Sequence, residues 1–395
     1  MNCEKEFSTI YKREPQATAF CPYRICPIGA HVDHQLGAIT GIAINKGVHI
    51  AYGPKKNGVV EMSSLQFDRR AQWHIHQIDE KPTGDWADYL RGATWALSKY
   101  YELHMGICGV VEGTMPIGGL SSSAALIIAF LTALCRVNGI TLAAAELIDI
   151  AQEAENGYVG VACGKLDQSC EVLCRKNHLL YLDIGTGQYE LIPENPAMKP
   201  YQIAIVFSGI ERTLAGSKFN MRVDEAKSAA YALMAYAGME YGKFNEAVLR
   251  DVPVEVYHRY KDRLPDNWHK RAEHFYTEVD RVRRGAEAWR RGDLDEYGRL
   301  CFESGRSSVY NWETGSDELR LLYEILSRTP GVYGARFSGA GFKGCCMALI
   351  NPDFAKSIEE KVTREYLEAF PEMKDKFSFH LCESADGVGT RENAQ

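Results

Sequence analysis

The pattern of apolar and polar positions along the chain predicts a mixture of strands and helices. In the first half, stretches rich in β-branched and aromatic residues predict strands, and apolar residues at helical spacing predict helices. The predicted strands cover residues 39–52, 58–63, 71–77, 106–112 and 179–184. The predicted helices cover residues 85–97, a segment that begins near 123, and residues 142–156.

The second half of the chain begins with a predicted strand at 201–207 and continues in long charged helices. A strand–loop–strand hairpin with strands at 334–337 and 345–350 follows, and then a helix at 353–370. Turn-forming residues cluster between the two halves, which predicts domains of residues 1–190 and 191–395. Because strands and helices mix without a regular βαβ rhythm, we expect an α+β fold.

Composition narrows the possible classes of protein. The 395 residues suffice for two domains with sizeable apolar cores. The 45 basic and 52 acidic residues give a net charge of −7, which argues against nucleic acid or an anionic membrane as the main partner. The twelve cysteines form no Cys-x-x-Cys pair, and residues 1–6 contain no apolar stretch. We therefore expect a cytoplasmic protein without a signal peptide.

A glycine- and serine-rich turn at residues 116–125 joins a predicted strand to an apolar helix. Its two glycines and three serines are Gly118, Gly119, Ser121, Ser122 and Ser123. The glycines let the backbone approach a ligand closely, and the serines stand beside the unpaired amides of a helix N-terminus. This combination predicts a phosphate site, although a tight turn with a serine cap has a similar pattern. It is not a Walker loop, because the Gly-x-x-x-x-Gly-Lys-Ser/Thr pattern is absent.

The turn resembles the phosphate-binding motif of the GHMP kinases, and two further segments match that superfamily in the right order. Residues 23–34 are similar to the galactokinase signature, and residues 334–345 resemble the third motif of the superfamily. The resemblance implies an N-terminal domain like domain 2 of ribosomal protein S5 and a ferredoxin-like C-terminal domain. The active site would lie between them.

The third motif also contains a Gly-x-Gly-x-x-Gly pattern at residues 339–344. In dinucleotide-binding folds this pattern opens a helix. Here it precedes the apolar residues 345–350, which predict a buried strand, and we therefore exclude a Rossmann fold.

The resemblance assigns the catalytic roles to Arg24 and Asp167. Residues 156–168 resemble the galactokinase segment that bears the catalytic aspartate, and Arg24 matches the arginine of the signature. Placed together, the arginine would keep the carboxylate ionised, and Asp167 would accept or orient the proton of the anomeric hydroxyl. The residues alone also fit a structural ion pair.

The resemblance also implies groups for magnesium and ATP. Glu155 matches the magnesium-binding glutamate of the family, and Ser123, with Ser122 as the alternative, would supply a hydroxyl ligand. Trp86 matches a tryptophan that packs on the adenine. Without the resemblance, Glu155 fits a solvated helix face and Trp86 fits the core.

On the sugar side, His31 and Asp33 match residues that hydrogen-bond sugar hydroxyls in galactokinases, and Gly164 is assigned to the same site. We do not interpret His31, Asp33 and His34 as a metal cluster, because metal ligands must converge in space. Phe219 stands where galactokinases have a sugar-contacting tyrosine, so one hydroxyl contact is missing.

The identity of the sugar depends on Ala30, because galactokinases have a glutamate here that contacts the 6-hydroxyl. A substrate carboxylate about 4 Å from that glutamate would cost roughly 4 kcal/mol at an effective dielectric constant of about 20. Alanine removes this repulsion and frees volume, which favours a sugar oxidised at C6. Residues 24–33 also resemble the galacturonate kinases of plants and bacteria. Sequence drift in a galactokinase of relaxed specificity is the alternative.

These observations predict a kinase that uses ATP and Mg²⁺ to convert D-galacturonate into its α-1-phosphate. Lys343, Arg212 and Lys218 are unranked candidates for the partner of the C6 carboxylate. Galactokinase, or a kinase for another C6-altered sugar, is the nearest alternative. A galactokinase-like sugar sensor without turnover is the alternative from another class, although the Ser-Ala-Ala stretch at 123–125 is intact. We expect no nucleic-acid or membrane partner, and the sequence predicts no oligomeric state.

Overall fold

The computed structural model describes residues 1–68, 70–210 and 218–392. Within these ranges the chain forms twelve strands and eleven α-helices, and the strands build two sheets. The strands are β1 (Ala17–Ile25), β2 (Ala38–Lys55), β3 (Val59–Ser64), β4 (Ala71–His74), β5 (Gly106–Gly113), β6 (His178–Asp183), β7 (Tyr189–Pro193), β8 (Gln202–Phe207), β9 (Val332–Phe337), β10 (Cys345–Ile350), β11 (Ser378–Cys382) and β12 (Gly389–Glu392). The helices are α1 (Asn2–Tyr11), α2 (Asp88–Ser98), α3 (Ser122–Val137), α4 (Ala144–Glu153), α5 (Leu166–Leu173), α6 (Lys218–Ala237), α7 (Val254–Tyr260), α8 (Asp266–Arg291), α9 (Leu294–Tyr310), α10 (Asp317–Ser327) and α11 (Ala355–Ala369).

The larger sheet is built mainly from the N-terminal half. Its strands follow the order β12-β1-β2-β5-β3-β4, with β6 paired to β2 and β7 paired to β6. Helix α3 packs on β1 and β2, and ten of its sixteen residues are buried. A helix that is apolar on most of its surface belongs inside a core. The turn before α3 is thereby fixed beside the end of β1, where the signature segment starts.

The smaller sheet has the order β11-β8-β10-β9 and antiparallel pairing. Helices precede β9 and follow β10, which gives the βαββαβ succession of a ferredoxin-like domain. The predicted α+β, two-domain fold is confirmed. Strands β9 and β10 form the predicted hairpin, and all six residues of β10 are buried. The Gly-x-Gly-x-x-Gly pattern therefore precedes a strand, as predicted.

Local hydrogen bonds explain where predicted helix ends were wrong. Helix α2 begins at Asp88 rather than at residue 85, because the Asp85 carboxylate accepts from the amide of Ala87 and from Arg91, both at 2.8 Å. The predicted helix at 142–156 is α-helical only to Glu153, and Ala154–Val159 continue it as a π-helix. π-Helical turns are frequent at functional sites.

Six elements were not predicted: α1, β1, α5, β7, β11 and β12. Strand β1 contains Pro22 and Arg24, which obscure its apolar pattern, and a bulge at Pro22 tolerates the proline in the strand. The division into residues 1–190 and 191–395 stays a prediction. However, β7 spans that boundary, and β12 returns from the C-terminal end to pair with β1 in the larger sheet.

Candidate active site

A cavity of about 980 Å³ is lined by residues from both halves of the chain. All fourteen site residues predicted from the sequence lie on its wall. Five of them form what we call the transfer end: Arg24, Ser121, Ser123, Glu155 and Asp167. Five others form what we call the sugar end: Ala30, His31, Asp33, Gly164 and Phe219. The remaining four are Trp86, Gly118, Gly119 and Ser122.

The glycine-rich turn fits closely against the loop of the third motif. Gly118 and Gly119 have φ of +134° and +82°, which side chains rarely adopt. A Cβ on Gly118 would lie 3.2 Å from the Cα of Gly344, and one on Gly119 would lie 2.8 Å from the Cys345 Sγ. The glycines of both motifs therefore allow two backbones to pack together and form one wall of the cavity.

Ser121 stands at the N-cap of α3 but does not cap it with its side chain. Its hydroxyl donates instead to Oδ2 of Asp167, at 2.6 Å. The alternative of a simple serine cap is therefore wrong for Ser121. The first-turn amides of α3 have no partner within the helix, so they remain as donors for an anion.

Arg24 and Asp167 form the central ion pair of the transfer end. Nε and Nη2 of Arg24 donate to Oδ1 of Asp167 at 2.8 and 2.6 Å, and Nη1 donates to the carbonyl of Gly119 at 3.2 Å. Burial opposes the charge of Arg24, but Asp167 outweighs it and raises the pKa of the guanidinium. Arg24 is buried, whereas the Asp167 side chain keeps 27% of its surface exposed. The carboxylate is thus held from one side and accessible from the other.

A second acid lies behind this pair and was not predicted. Glu171 is fully buried, one helical turn after Asp167 on α5. Burial, and then the charge of Asp167, raise the pKa of Glu171 well above its ordinary value. Burial therefore disfavours the ionised form of Glu171, the acid beside the Arg24–Asp167 pair.

Ser123 and Glu155 provide oxygen ligands of the kind that magnesium prefers. The Ser123 hydroxyl donates to Oε1 of Glu155 at 2.8 Å, and Gln168 donates to Oε2 at 2.9 Å. One carboxylate and one hydroxyl, with phosphate and water oxygens in the remaining positions, match the usual coordination of Mg²⁺. Gln168, which sequence reasoning missed, fixes the orientation of the carboxylate. Ser122 also lines the cavity.

Trp86 lies on the same cavity wall and stacks on Phe67, with 6.0 Å between the ring centroids and 2° between the planes. Trp86 is 8% exposed and also belongs to the main apolar core. The tryptophan is thus both a core residue, as the alternative predicted, and part of the cavity wall. Phe67 was not predicted to take part.

At the sugar end, Asp33 is anchored by the segment that carries Asp167. Its Oδ2 accepts from the amide of Leu166 at 3.2 Å. A Cβ on Gly164 would lie 2.3 Å from the same oxygen, so only glycine permits this approach. Burial, and then the charge of Asp167, raise the pKa of Asp33 to about 6.

The rest of the sugar end is aromatic and carries no formal charge. His31 stacks on Trp312 at 5.1 Å, and its ring lies 6.4 Å from that of Phe219. Burial, together with His274, lowers the pKa of His31 well below its ordinary value, so the imidazole is neutral. The Nε2 atom of His31 is buried without a hydrogen-bond partner among the described residues. Ala30 is 6% exposed and lies on the cavity wall.

Lys343 is one of the three unranked candidates for the partner of the C6 carboxylate. This half-buried lysine is not among the residues that line the cavity, whereas Lys376 is. Arg212 and the side chain of Lys218 lie outside the described residues. Lys376 was missed because it lies outside every motif, in the segment before β11.

In the part of the chain that the structure describes, no group of three or more His, Cys, Asp or Glu side chains is arranged to hold a metal ion. No described helix combines the length and the apolar character needed to cross a membrane.

Family models of known proteins match three parts of the chain. The family model for the GHMP kinases N terminal domain matches residues 88–175, and the GHMP kinases C terminal model matches residues 286–369. The galactokinase galactose-binding signature matches residues 5–54.

Curated proteins and a solved structure resemble almost the whole chain. The chain is 38% identical to galacturonokinase from Arabidopsis thaliana, over 93% of this chain and 92% of that protein. It is 30% identical to galactokinase from Roseiflexus sp. (strain RS-1), over 98% of this chain and 95% of that protein. The crystal structure of Lactococcus lactis galactokinase complexed with galactose superposes with a TM-score of 0.89, at 26% identity and 98% coverage of each chain.

Proposed function

The chain belongs to the galactokinase family of the GHMP kinases, and from that premise we propose that it phosphorylates the anomeric hydroxyl of D-galacturonate with ATP. The products are α-D-galacturonate 1-phosphate and ADP. The family makes the chain a sugar kinase, and the uronate substrate is the part we propose. The observation that carries it is Ala30, an apolar side chain on the cavity wall where galactokinases place a glutamate.

ATP is proposed to bind along the wall formed by Trp86 and the glycine-rich turn. The tryptophan face suits the adenine. Gly118 and Gly119 bring the backbone close to the phosphates, and the amides and dipole at the start of α3 favour their negative charge.

Ser123 is our choice for the hydroxyl ligand of magnesium, because its side chain already meets Glu155 at 2.8 Å. Glu155 and Ser123 would hold Mg²⁺ here, and the ion would offset the negative charge of the phosphates. Gln168 keeps the Glu155 carboxylate turned towards Ser123. In this role Ser122, which also lines the cavity, is the second choice.

Asp167 is proposed to act on the anomeric hydroxyl of the sugar. Its two oxygens are fixed by Arg24 and Ser121, which orient the carboxylate towards the cavity. As the oxygen of the sugar attacks the γ-phosphorus and the bond to ADP breaks, the hydroxyl proton passes towards Asp167. Phosphoryl transfer depends mainly on position and charge. The buried Arg24 stabilises the negative charge of Asp167 and that of the transferring phosphoryl group.

The side chain at position 30 decides whether a C6 carboxylate of the sugar meets a negative charge. A glutamate there would oppose a C6 carboxylate about 4 Å away by roughly 4 kcal/mol at an effective dielectric constant of about 20. Ala30 removes this charge, and the adjacent His31 is neutral and offers an unsatisfied Nε2. An anionic C6 group therefore meets no side-chain negative charge at position 30. The likeness to the Arabidopsis galacturonokinase supports the same assignment.

The test compares ATP consumption with galacturonate, glucuronate, galactose and arabinose, for the wild type and for Ala30→Glu. We expect the highest kcat/KM with galacturonate, and a loss of about 10³-fold in Ala30→Glu, which is the repulsion above expressed as a rate. Ala30→Gln is the matched control, because it fills the same volume without charge. It should lose less galacturonate activity than the glutamate variant. A wild-type preference for galactose, or equal losses in both variants, would contradict the proposal.

A second candidate, galactokinase itself, is favoured by the match to the galactose-binding signature and by the likeness to the galactose complex. The same panel of sugars distinguishes it. The sugar sensor has no comparable support, and turnover of ATP with any sugar excludes it.

A further inference from the structure

Two side chains of one helix in the C-terminal half bind the backbone at Gly29 and Ala30. Nε2 of His274 donates to the carbonyl of Ala30 at 2.9 Å, and Oε1 of Glu278 accepts from the amide of Gly29 at 2.6 Å. His274 and Glu278 are four residues apart on α8, so their side chains project from the same face. Both are completely buried. No sequence motif pointed to either residue.

Further contacts fix the protonation state and the orientation of both side chains. Since Nε2 of His274 faces a carbonyl, it carries the proton, and Nδ1 accepts from the Ser307 hydroxyl at 2.9 Å. Burial lowers the pKa of His274 to about 4, so this neutral form persists at pH 7. Burial opposes ionisation of Glu278, but the neighbouring groups, of which Arg281 contributes most, together outweigh it and bring the pKa of Glu278 to about 2. Each group therefore has one protonation state and one orientation.

The loop at Ala30 needs such restraint because of its backbone conformation. The residues on both sides are left-handed: Gly29 has φ of +108° and His31 has φ of +63°. Glycine adopts a positive φ readily, but at His31 the left-handed conformation costs free energy and persists where the surroundings enforce it. A Cβ on Gly29 would lie 2.7 Å from the Cα of Ile39 and 2.9 Å from Cγ2 of Val282, so the loop is also packed tightly.

We propose that His274 and Glu278 are positioning residues that set the place of Ala30 and thereby the selectivity for the C6 group of the sugar. This inference rests on the proposed function, in which position 30 faces C6. It assigns part of the specificity to α8, which lies outside the three motifs. Neither side chain lines the cavity, so both act through the Gly29–Ala30 backbone.

The test measures KM for the sugar and KM for ATP separately in His274→Ala, His274→Gln and Glu287→Gln. Glutamine carries an amide donor at about the reach of Nε2, and Glu287 is an exposed residue of the same helix. We expect His274→Ala to raise KM for galacturonate about tenfold and to lower the galacturonate-to-galactose ratio of kcat/KM, with KM for ATP unchanged. His274→Gln should restore most of the loss, and Glu287→Gln should match the wild type.

If His274→Ala raises both KM values equally, or if His274→Gln behaves like His274→Ala, the positioning role is wrong. Ser307→Ala, which removes only the partner of Nδ1, serves as a milder variant if His274→Ala does not fold. It should shift KM for the sugar in the same direction and leave KM for ATP unchanged. A wild-type preference for galactose would refute the proposed substrate. The positioning role would still be decided by KM for galactose in the same variants.

Discussion

The two ends of the cavity are built on different physical principles. At the transfer end, Asp167 is fixed by Arg24 and Ser121, and Glu155 is fixed by Ser123 and Gln168, through hydrogen bonds of 2.6 to 2.9 Å. At the sugar end, Ala30, Phe219 and the neutral ring of His31 carry no charge, and Asp33 is the one acid of the set. The transfer end thus stabilises charge, whereas the region around Ala30 avoids opposing it.

This difference separates catalysis from selectivity. Moving a phosphoryl group requires charges at fixed positions, so the loss of one group weakens the whole network. In the proposed function, selection of an anionic sugar depends on the absence of a negative side chain at position 30, and the residues that place Ala30 contribute to it. We therefore expect changes at the transfer end to alter kcat or the response to magnesium. Changes at the sugar end should alter only the response to the sugar.

The largest effect is expected for Asp167→Asn. The amide keeps the shape of the carboxylate but cannot take the hydroxyl proton or pair with the charge of Arg24. We expect kcat to fall about 10³-fold, within the range of acid–base contributions, while the sugar still binds. Single-turnover kinetics and sugar binding by calorimetry measure the two separately. Asp149→Asn, at an exposed aspartate, is the control. A variant with near-normal kcat would remove Asp167 from the transfer end.

The next effect is expected for Glu155→Gln, which keeps the volume and the contact with Ser123 but removes the negative charge. The magnesium concentration that gives half-maximal rate should rise about 10²-fold, since a carboxylate ligand is lost. KM for the sugar at saturating magnesium should stay unchanged. Titration of the rate with MgCl₂ at fixed ATP and sugar checks this. An unchanged magnesium response would contradict the assignment of Glu155.

A smaller effect is expected where the two motifs pack together. A Cβ at Gly344 would lie 2.7 Å from the carbonyl carbon of Gly118, and φ at Gly344 is +106°. Gly344→Ala should therefore lower the stability by about 2 kcal/mol and disturb the phosphate turn. Gly187→Ala is the matched control, because φ there is +70° and no described atom lies within 4 Å of the added Cβ. It should cost about 1 kcal/mol, from backbone strain alone. Equal shifts of the thermal midpoint in both variants would contradict the close packing.

The transfer end was easier to predict from the sequence than the surroundings of the sugar end. Two glycines, three serines and an apolar helix carry local signals that require no knowledge of the fold. Asp167 and Arg24 are 143 residues apart, and their pairing was predicted only through the resemblance to the GHMP kinases. Lys343, chosen because it lies in a motif, proved not to line the cavity.

The features that could not be predicted from the sequence depend on contacts between elements of the fold. His274 and Glu278 meet the signature loop across more than 240 residues, on a helix whose charged pattern predicts only an exposed surface. Gln168 and Glu171 follow Asp167 by one and four residues, yet their roles depend on which face of α5 is buried. Strand β1 was missed because a proline and an arginine obscure its apolar pattern. In the structure a bulge accommodates the proline, and the ion pair with Asp167 accommodates the arginine. Each of these is a tertiary effect without a local signal.

The smallest predicted effect tests whether the two ends respond separately to pH. The pKa of Asp33 is raised to about 6, so this carboxyl is ionised at neutral pH and becomes protonated as the pH falls. In the proposed function, an ionised Asp33 accepts hydrogen bonds from sugar hydroxyls, and protonation weakens that capacity. From about pH 7.5 to about pH 5 the ionised fraction falls about tenfold, so kcat/KM for the sugar should fall by the same factor. Because Asp33 belongs to the sugar end, KM for ATP should stay constant over this range. In Asp33→Asn this acidic limb should vanish and the activity at neutral pH should be low. A limb that persists in Asp33→Asn would mean that another group titrates, and that the sugar end does not set the pH response.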